Sequence, residues 1–390
     1  MKTGFAGDLY GRAHLDDPYP AYRQIRDMGS AVWMSRRRMW AIGRFADVRA
    51  ALRADTVLVS GLGVAANDQV NAARSPITLT SDGEEHARRR LALAQPLTPG
   101  PLKELRSRLE AEAEQVVEGL ADGQVFDAVA RFASHLPVSV VADLVGLNAT
   151  GRKNMLRWAA ATFDVLGVLN ARGLAAMPQV IELGRYIRTI SRADVMPGGW
   201  ADRLFEAAER GALSAEEARA MTIDYVGPAL DTTILATAEM VWRLATTPEA
   251  YATLRAEPEL VGSVVNESVR IASPIRGFTR FAAEDYEAGD VTIPKGQRVL
   301  VLFASANRDE RRYADPDGFD VRRNPRDHVG WGHGAHTCVG MHLARLEMEV
   351  LLRSLIARVD HIEVAGAPER IRNNVLQGFK TLPVRFHPVG

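Results

Sequence analysis

The periodicity of apolar and polar positions changes along the chain. From about residue 18 to 55 a short helical repeat, Ala21 to Met28, gives way to alternating stretches, Ala31 to Met34 and Met39 to Ile42, that predict strands. Between Val57 and Thr80 the pattern fades into sequence such as GLGVAAND, which reads as a long loop, and long loops in compact proteins often carry function. From Glu84 to about Thr247 the spacing is mostly helical, as in Leu102 to Leu120, Val138 to Val145 and Ala215 to Ala245, with Gly and Pro at the breaks. A further helix around Leu260 to Ile271 precedes the strand-like VTIPKGQRVLVLF and an irregular stretch from Asn307 to His328. After Cys338, the positions Val339, Leu343, Leu346 and Val350 recur at helical spacing, so the last long helix turns an apolar face to a core. The pattern predicts one mainly α domain with small β-sheets spanning 1–390. Its β-rich part lies at about 31–60 and 275–305, its helical part at about 84–271 and 339–358.

Composition narrows the function classes. A chain of 390 residues, 47% hydrophobic and 25% charged, can bury a large core. Lys+Arg and Asp+Glu number 48 each, so no overall field marks a binder of nucleic acid or anionic membrane. Neither the N-terminal MKTGFAGDLYGRAHLDDPYP nor any later stretch has the apolar run of a signal peptide or membrane-spanning helix, and a cytoplasmic location is expected. The single cysteine cannot form an internal disulfide; without its neighbours it would read as a small buried hydrophobe.

Its neighbours point to chemistry. In GWGHGAHTCVGMHLARLEME, glycines at 330, 332 and 334 precede Cys338 and Gly340 follows it at the start of a helix. Glycines let a backbone lie close to a flat partner, and a helix N-terminus favours a thiolate. His328, His333, His336 and His342 crowd the same stretch and raise a zinc site as an alternative, but one cysteine at these gaps fits poorly with paired short ligand spacings. A cysteine nucleophile with a distant histidine base is a second alternative; it leaves the alternating glycines unexplained.

The segment resembles the haem-binding loop of the cytochrome P-450 family, Phe-Gly-x-Gly-x-His-x-Cys-x-Gly-x-x-Leu-Ala. Gly332, Gly334, His336, Cys338, Gly340, Leu343 and Ala344 match, and Trp331 stands at the Phe position. The resemblance implies that Cys338 is the axial ligand of haem b, the metal being its iron, and that the haem lies between the Asp231 helix and the Cys338 helix. It further implies haem contacts for His86 and Arg90 in SDGEEHARRR, Arg280 in GFTR, His336 and Gly340. Glu267 and Arg270 in NESVR would form a buried charge network with Arg323 from PDGFDVRRNP. GPALDTT resembles the family's acid-alcohol motif, making Asp231 and Thr232 the candidates for relaying protons as the O–O bond of dioxygen breaks. Pro228 in the same segment predicts a kink.

The implied activity is monooxygenation of a small organic molecule. Electrons would come from a [2Fe-2S] ferredoxin or a flavodoxin with its NAD(P)H-dependent reductase, and Arg88 with Arg89 form a candidate basic docking patch. Candidate pocket walls are residues 57–80, Phe163 to Leu169, Asp224, Gly227, Ile275, Phe278 and the turn near Phe379. Asp224 lies seven residues before Asp231, on the same helical face; a carboxylate there would disfavour an anionic substrate and could bind a phenol or an amine. SPIRGFTR and LFASANRDERRYADPDGFD look similar to bacterial members that oxidise small aromatic ethers and acids, so hydroxylation or O-demethylation of a methoxy-aromatic is expected. Tailoring of a macrolide or terpenoid is the competing enzyme reading; a haem sensor without turnover is the reading from another class.

Overall fold

The computed structural model describes residues 4–390. Its largest sheet has six strands in the order Gly4–Phe5, Val32–Met34, Met39–Ile42, Arg298–Val301, Phe278–Ala282, Leu58–Val59. Trp40 pairs with Val299 and Thr279 with Leu300, so the two stretches that the pattern marked as β-rich meet in one sheet although about 250 residues separate them. A second sheet joins Val359–Val364, Pro383–Pro388 and Val125–Asp127.

The helical part is organised around Ala215–Thr246, hereafter the long helix. Ser214 and Glu217 form a reciprocal capping box at its N-terminus. Most of its residues, on every face, are buried, as expected of a helix running through a core. The helices Ala149–Leu166, Trp200–Glu209 and Val261–Ala272 pack on it. Met341–Arg358, hereafter the cysteine helix, buries Leu343, Leu346 and Val350 and packs on Pro99–Glu118.

Two expectations need correction. Residues 57–80 are not an unstructured loop: they contain a strand, Leu58–Val59, a short helix, Asp68–Ala72, and a 3₁₀ turn, Thr78–Thr80. Side chains pin this segment. Asn67 caps the short helix through Val70 N–H and donates to the Val165 and Gly167 carbonyls, while Asn71 exchanges hydrogen bonds with the Ala65 backbone in both directions. In the stretch predicted as a helix over 138–145, a π-helical turn, Pro137–Val141, precedes a short α-helix at Ala142–Val145, and another π-helical turn, Val129–Ala133, lies just before it. The long helix runs as one element through Pro228.

Candidate functional site

The cysteine loop is shaped by its glycines. Gly332 and Gly334 have φ of +71° and +73°, and a side chain at Gly334 would run into the Leu52 carbonyl. The loop folds back so that Cys338 N–H donates to the Trp331 carbonyl at 2.7 Å. The backbone amides of Gly340 and Met341, at the start of the cysteine helix, are directed at the Cys338 sulfur. Surface area makes this side chain exposed, yet enough protein surrounds it for desolvation to raise the thiol pKa. Both hold if the sulfur faces an interior cleft, and the two amides together with Arg90 favour its thiolate.

Basic groups gather around the same cleft. His86 and Arg90 stand one turn apart on the helix Gly83–Ala94. The His86 ring lies 4.2 Å from that of His336, centroid to centroid, and burial, with His336 and Arg90 nearby, pushes its pKa down to about 4. Arg280 is buried on Phe278–Ala282; its one hydrogen bond goes to the neighbouring Thr279 carbonyl, and desolvation pulls its pKa down to about 10. Neither Arg90 nor Arg280 has a carboxylate ion-pair partner among the described residues. His336 lies 3.8 Å from Asp82. Asp82 was missed by the sequence reading. It also accepts from the Ser60 and Gly61 amides, and its place four residues before His86 was the available signal. The other loop histidines are dispersed: His328 is buried and accepts from Gly330 N–H, His333 lies beside Arg49, and His342 is exposed. Among the described residues no group of three or more His, Cys, Asp or Glu is arranged to hold a metal ion.

This donor set fits haem b. A single thiol, backed by amide donors, suits one axial bond to iron, and a buried Arg280 and half-buried Arg90 without ion-pair acids among the described residues call for carboxylates from elsewhere, which the two haem propionates would supply. The Trp331 indole N–H is buried without a partner on the sulfur's own loop.

On the long helix, a methyl group built on Gly227 would meet no atom within 4 Å, so this turn borders open space. One turn on, Asp231 Oδ2 is buried without a hydrogen bond, and burial pushes its carboxyl up to about 7. The Thr232 hydroxyl donates to the Pro228 carbonyl at 2.6 Å. Asp224 is buried, accepts from Thr78 N–H at 3.0 Å, and is raised by desolvation to about 6. Ile275 and Phe278 join one apolar cluster with Phe163, Leu166, Leu235 and Leu376. Phe379 departs from its expected place in the pocket wall: its ring packs 5.4 Å from Trp242 and under Arg370, inside a different cluster.

Away from the cleft, Glu267 and Arg270 are fully buried and joined by two 2.7 Å hydrogen bonds. Arg270 also donates to the Asn307, Pro316 and Gly318 carbonyls, and Arg323 Nε sits 3.2 Å from Glu267. Arg323 Nε lacks hydrogen-bond geometry there; its other two nitrogens donate to the Ala314 and Asp315 carbonyls, so this third contact is chiefly coulombic. Arg88 and Arg89 do not form a free docking patch. Both bind Glu217, and Arg89 is only 6% exposed.

Comparison with known proteins agrees with the geometry. Residues 199–386 match the family model described as Cytochrome P450. The chain is 35% identical to Cytochrome p450 CYP199A2 of Rhodopseudomonas palustris, covering 98% of this chain and 94% of that protein. It is 30% identical to Cytochrome P450 107B1 of Saccharopolyspora erythraea, covering 99% of each. The solved structure of the tirandamycin C-bound P450 monooxygenase TamI superposes with a TM-score of 0.82 at 26% identity, covering 98% of this chain and 100% of that one. The chain therefore belongs to the cytochrome P450 family. It has that fold, is a monooxygenase, binds haem b through a cysteine thiolate and takes electrons from external redox partners. Among the described residues no helix is long and apolar enough to cross a membrane.

Proposed function

We propose that this monooxygenase inserts one oxygen atom of O₂ into a small aromatic molecule, by hydroxylation or by O-demethylation of a methoxy group. In this reading Cys338 is the axial ligand, His86, Arg90, Arg280 and His336 hold the haem propionates, and Asp231 with Thr232 handles protons. The observation that carries it is a thiol backed by two amides in the same cleft as the guanidiniums of Arg280, buried, and Arg90, half-buried, neither with an ion-pair acid among the described residues.

Bound haem would supply the redox chemistry, one oxygen atom going to substrate and the other to water with two electrons delivered one at a time. The protein residues do the rest. With its pKa near neutrality, the Asp231 carboxyl can both hold and release a proton at working pH. The Thr232 hydroxyl spends its own proton on the Pro228 carbonyl, which leaves its lone pairs to accept from water. The apolar cluster of Phe163, Leu235, Ile275, Phe278 and Leu376 excludes bulk water and suits an aromatic ring. The 35% identity to CYP199A2 supports a substrate of the kind expected from the sequence. The 26% identity to a tirandamycin C-bound enzyme favours, as second reading, tailoring of a larger natural product. A panel of both ligand types, screened for the low-spin to high-spin change, separates the two. The electron donor in this reading is a [2Fe-2S] ferredoxin or a flavodoxin with an NAD(P)H-dependent reductase.

The primary test is the absorption spectrum of the dithionite-reduced protein under carbon monoxide. A strongly red-shifted Soret band is the expected result for Cys338 ligation. A band at the position of histidine-ligated haem would reject it.

A further inference from the structure

One buried carboxyl group bordering the open turn of the long helix has no part in the proposed proton chemistry. Asp224 precedes Asp231 by seven residues, which places the two within about 20° of one helical face and about 10 Å apart along the axis. Gly227 lies between them and borders open space. The single hydrogen bond to the Asp224 carboxyl among the described residues comes from Thr78 N–H to Oδ2. The Thr78 hydroxyl is close to the same group, but it is buried without completing a bond. Among the described residues no cation pairs with Asp224: the arginine that acts on it, Arg89, is committed to Glu217 at 2.9 Å. Pro228 adds to the deficit. Having no N–H, it cannot donate to the Asp224 carbonyl four residues earlier, so main chain and side chain offer acceptors at one position.

We infer that Asp224 is the recognition point for the polar end of the substrate and takes a hydrogen-bond donor, a protonated amine before a neutral hydroxyl, and not a carboxylate. This rests on the proposed reading that substrate lies along the Gly227 face, between Asp224 and the haem. A desolvated carboxylate with one N–H donor leaves most of its acceptor capacity unused, and an ammonium group satisfies both charge and hydrogen bonding. A carboxylate would bring a second negative charge beside Asp224, where the one arginine among the described residues that acts on it is already bound to Glu217. The spacing of about two turns suits an aromatic ring with its amine on one end and its oxidised substituent on the other.

The test uses the haem-loaded protein and three probes of one shape: 4-methoxyphenethylamine, 4-methoxyphenethyl alcohol and 4-methoxyphenylacetate. Binding is measured by calorimetry, which does not depend on the iron, and in parallel by the low-spin to high-spin absorption change. The amine is expected to bind at least tenfold tighter than the alcohol, with the acid weakest. In D224N, where Asn retains an oxygen for Thr78 N–H, the amine should fall to within about threefold of the alcohol. Equal binding of amine and alcohol by the unaltered protein overturns the inference, whether or not D224N folds, and so does a preference that survives in D224N. An absorption shift typical of an amine nitrogen on iron also overturns it, since the amine would then sit at the wrong end. Failure of the haem-thiolate reading would show separately, in the carbon monoxide spectrum.

Discussion

Buried arginines occur in two contrasting settings in this protein. Arg270 is fully buried and answered at every nitrogen: two bonds to Glu267, three carbonyls, and Arg323 on the far side of the same carboxylate. Arg280 is nearly as buried, yet among the described residues it has one neighbouring carbonyl and no carboxylate in ion-pair contact, Asp82 acting on it only from a distance. Burying a cation is tolerable only with compensation, so the first set is complete as it stands, whereas the second calls for a closer anionic partner than the described residues provide. The contrast separates a structural network from a ligand site without reference to any motif.

The largest effect that can break this contrast lies in the complete network. Glu267→Ala leaves Arg270 and Arg323 facing each other in the core, and removing one partner of a buried pair costs about 3 to 5 kcal/mol, a large share of the stability of an ordinary domain. Urea unfolding followed by circular dichroism should show that loss, or too little folded protein to measure. A cost under about 1 kcal/mol would mean that the three carbonyls suffice for Arg270 and that the network is not the unit described.

Arg280→Met gives the opposite signature. Without haem, the substitution removes an uncompensated cation and should leave stability unchanged or raised, while haem affinity, measured by transfer to apomyoglobin, should fall roughly 10- to 100-fold as a supporting contact is lost. If Arg280→Met destabilises the haem-free protein as Glu267→Ala does, the two settings are alike and the assignment of Arg280 to a propionate fails.

These two settings were unequally legible in the sequence. Glu267 and Arg270 are three residues apart on one helix, so their pairing is local and visible, and the cysteine loop is likewise one continuous segment. The unpaired state of Arg280 is invisible in sequence, because it depends on what lies near a strand brought against Arg298–Val301. The same limit explains the corrections. Arg88 and Arg89 read as a surface pair because their partner, Glu217, lies 128 residues beyond Arg89. Residues 57–80 read as a loop because Asn67 finds its carbonyls about 100 residues away. Phe379 read as a pocket residue because nothing in its vicinity along the chain announces Trp242. Local chemistry could be read from the sequence, but compensation supplied by distant residues could not.

Asp224 provides the smallest and sharpest test, since it is the converse case, a buried acid with no cation. Desolvation raises its pKa to about 6, above the value near 3.8 that it has when exposed. The folded state therefore holds a proton that the unfolded chain has already released between these values. Acid pH favours the folded state through this group, and that contribution is lost as pH rises through about 6. Asp224→Asn keeps an acceptor for Thr78 N–H and removes the titration. The stability of the variant relative to the parent should therefore grow by about 1 kcal/mol between pH 5 and pH 8 and level off above about pH 7. Urea midpoints across that range, with no substrate present, read this directly. A difference that stays flat with pH would show that Asp224 is already compensated in the folded protein; the site would then have no unmet demand for a cation, and Asp224 would belong with Arg270 instead of with Arg280.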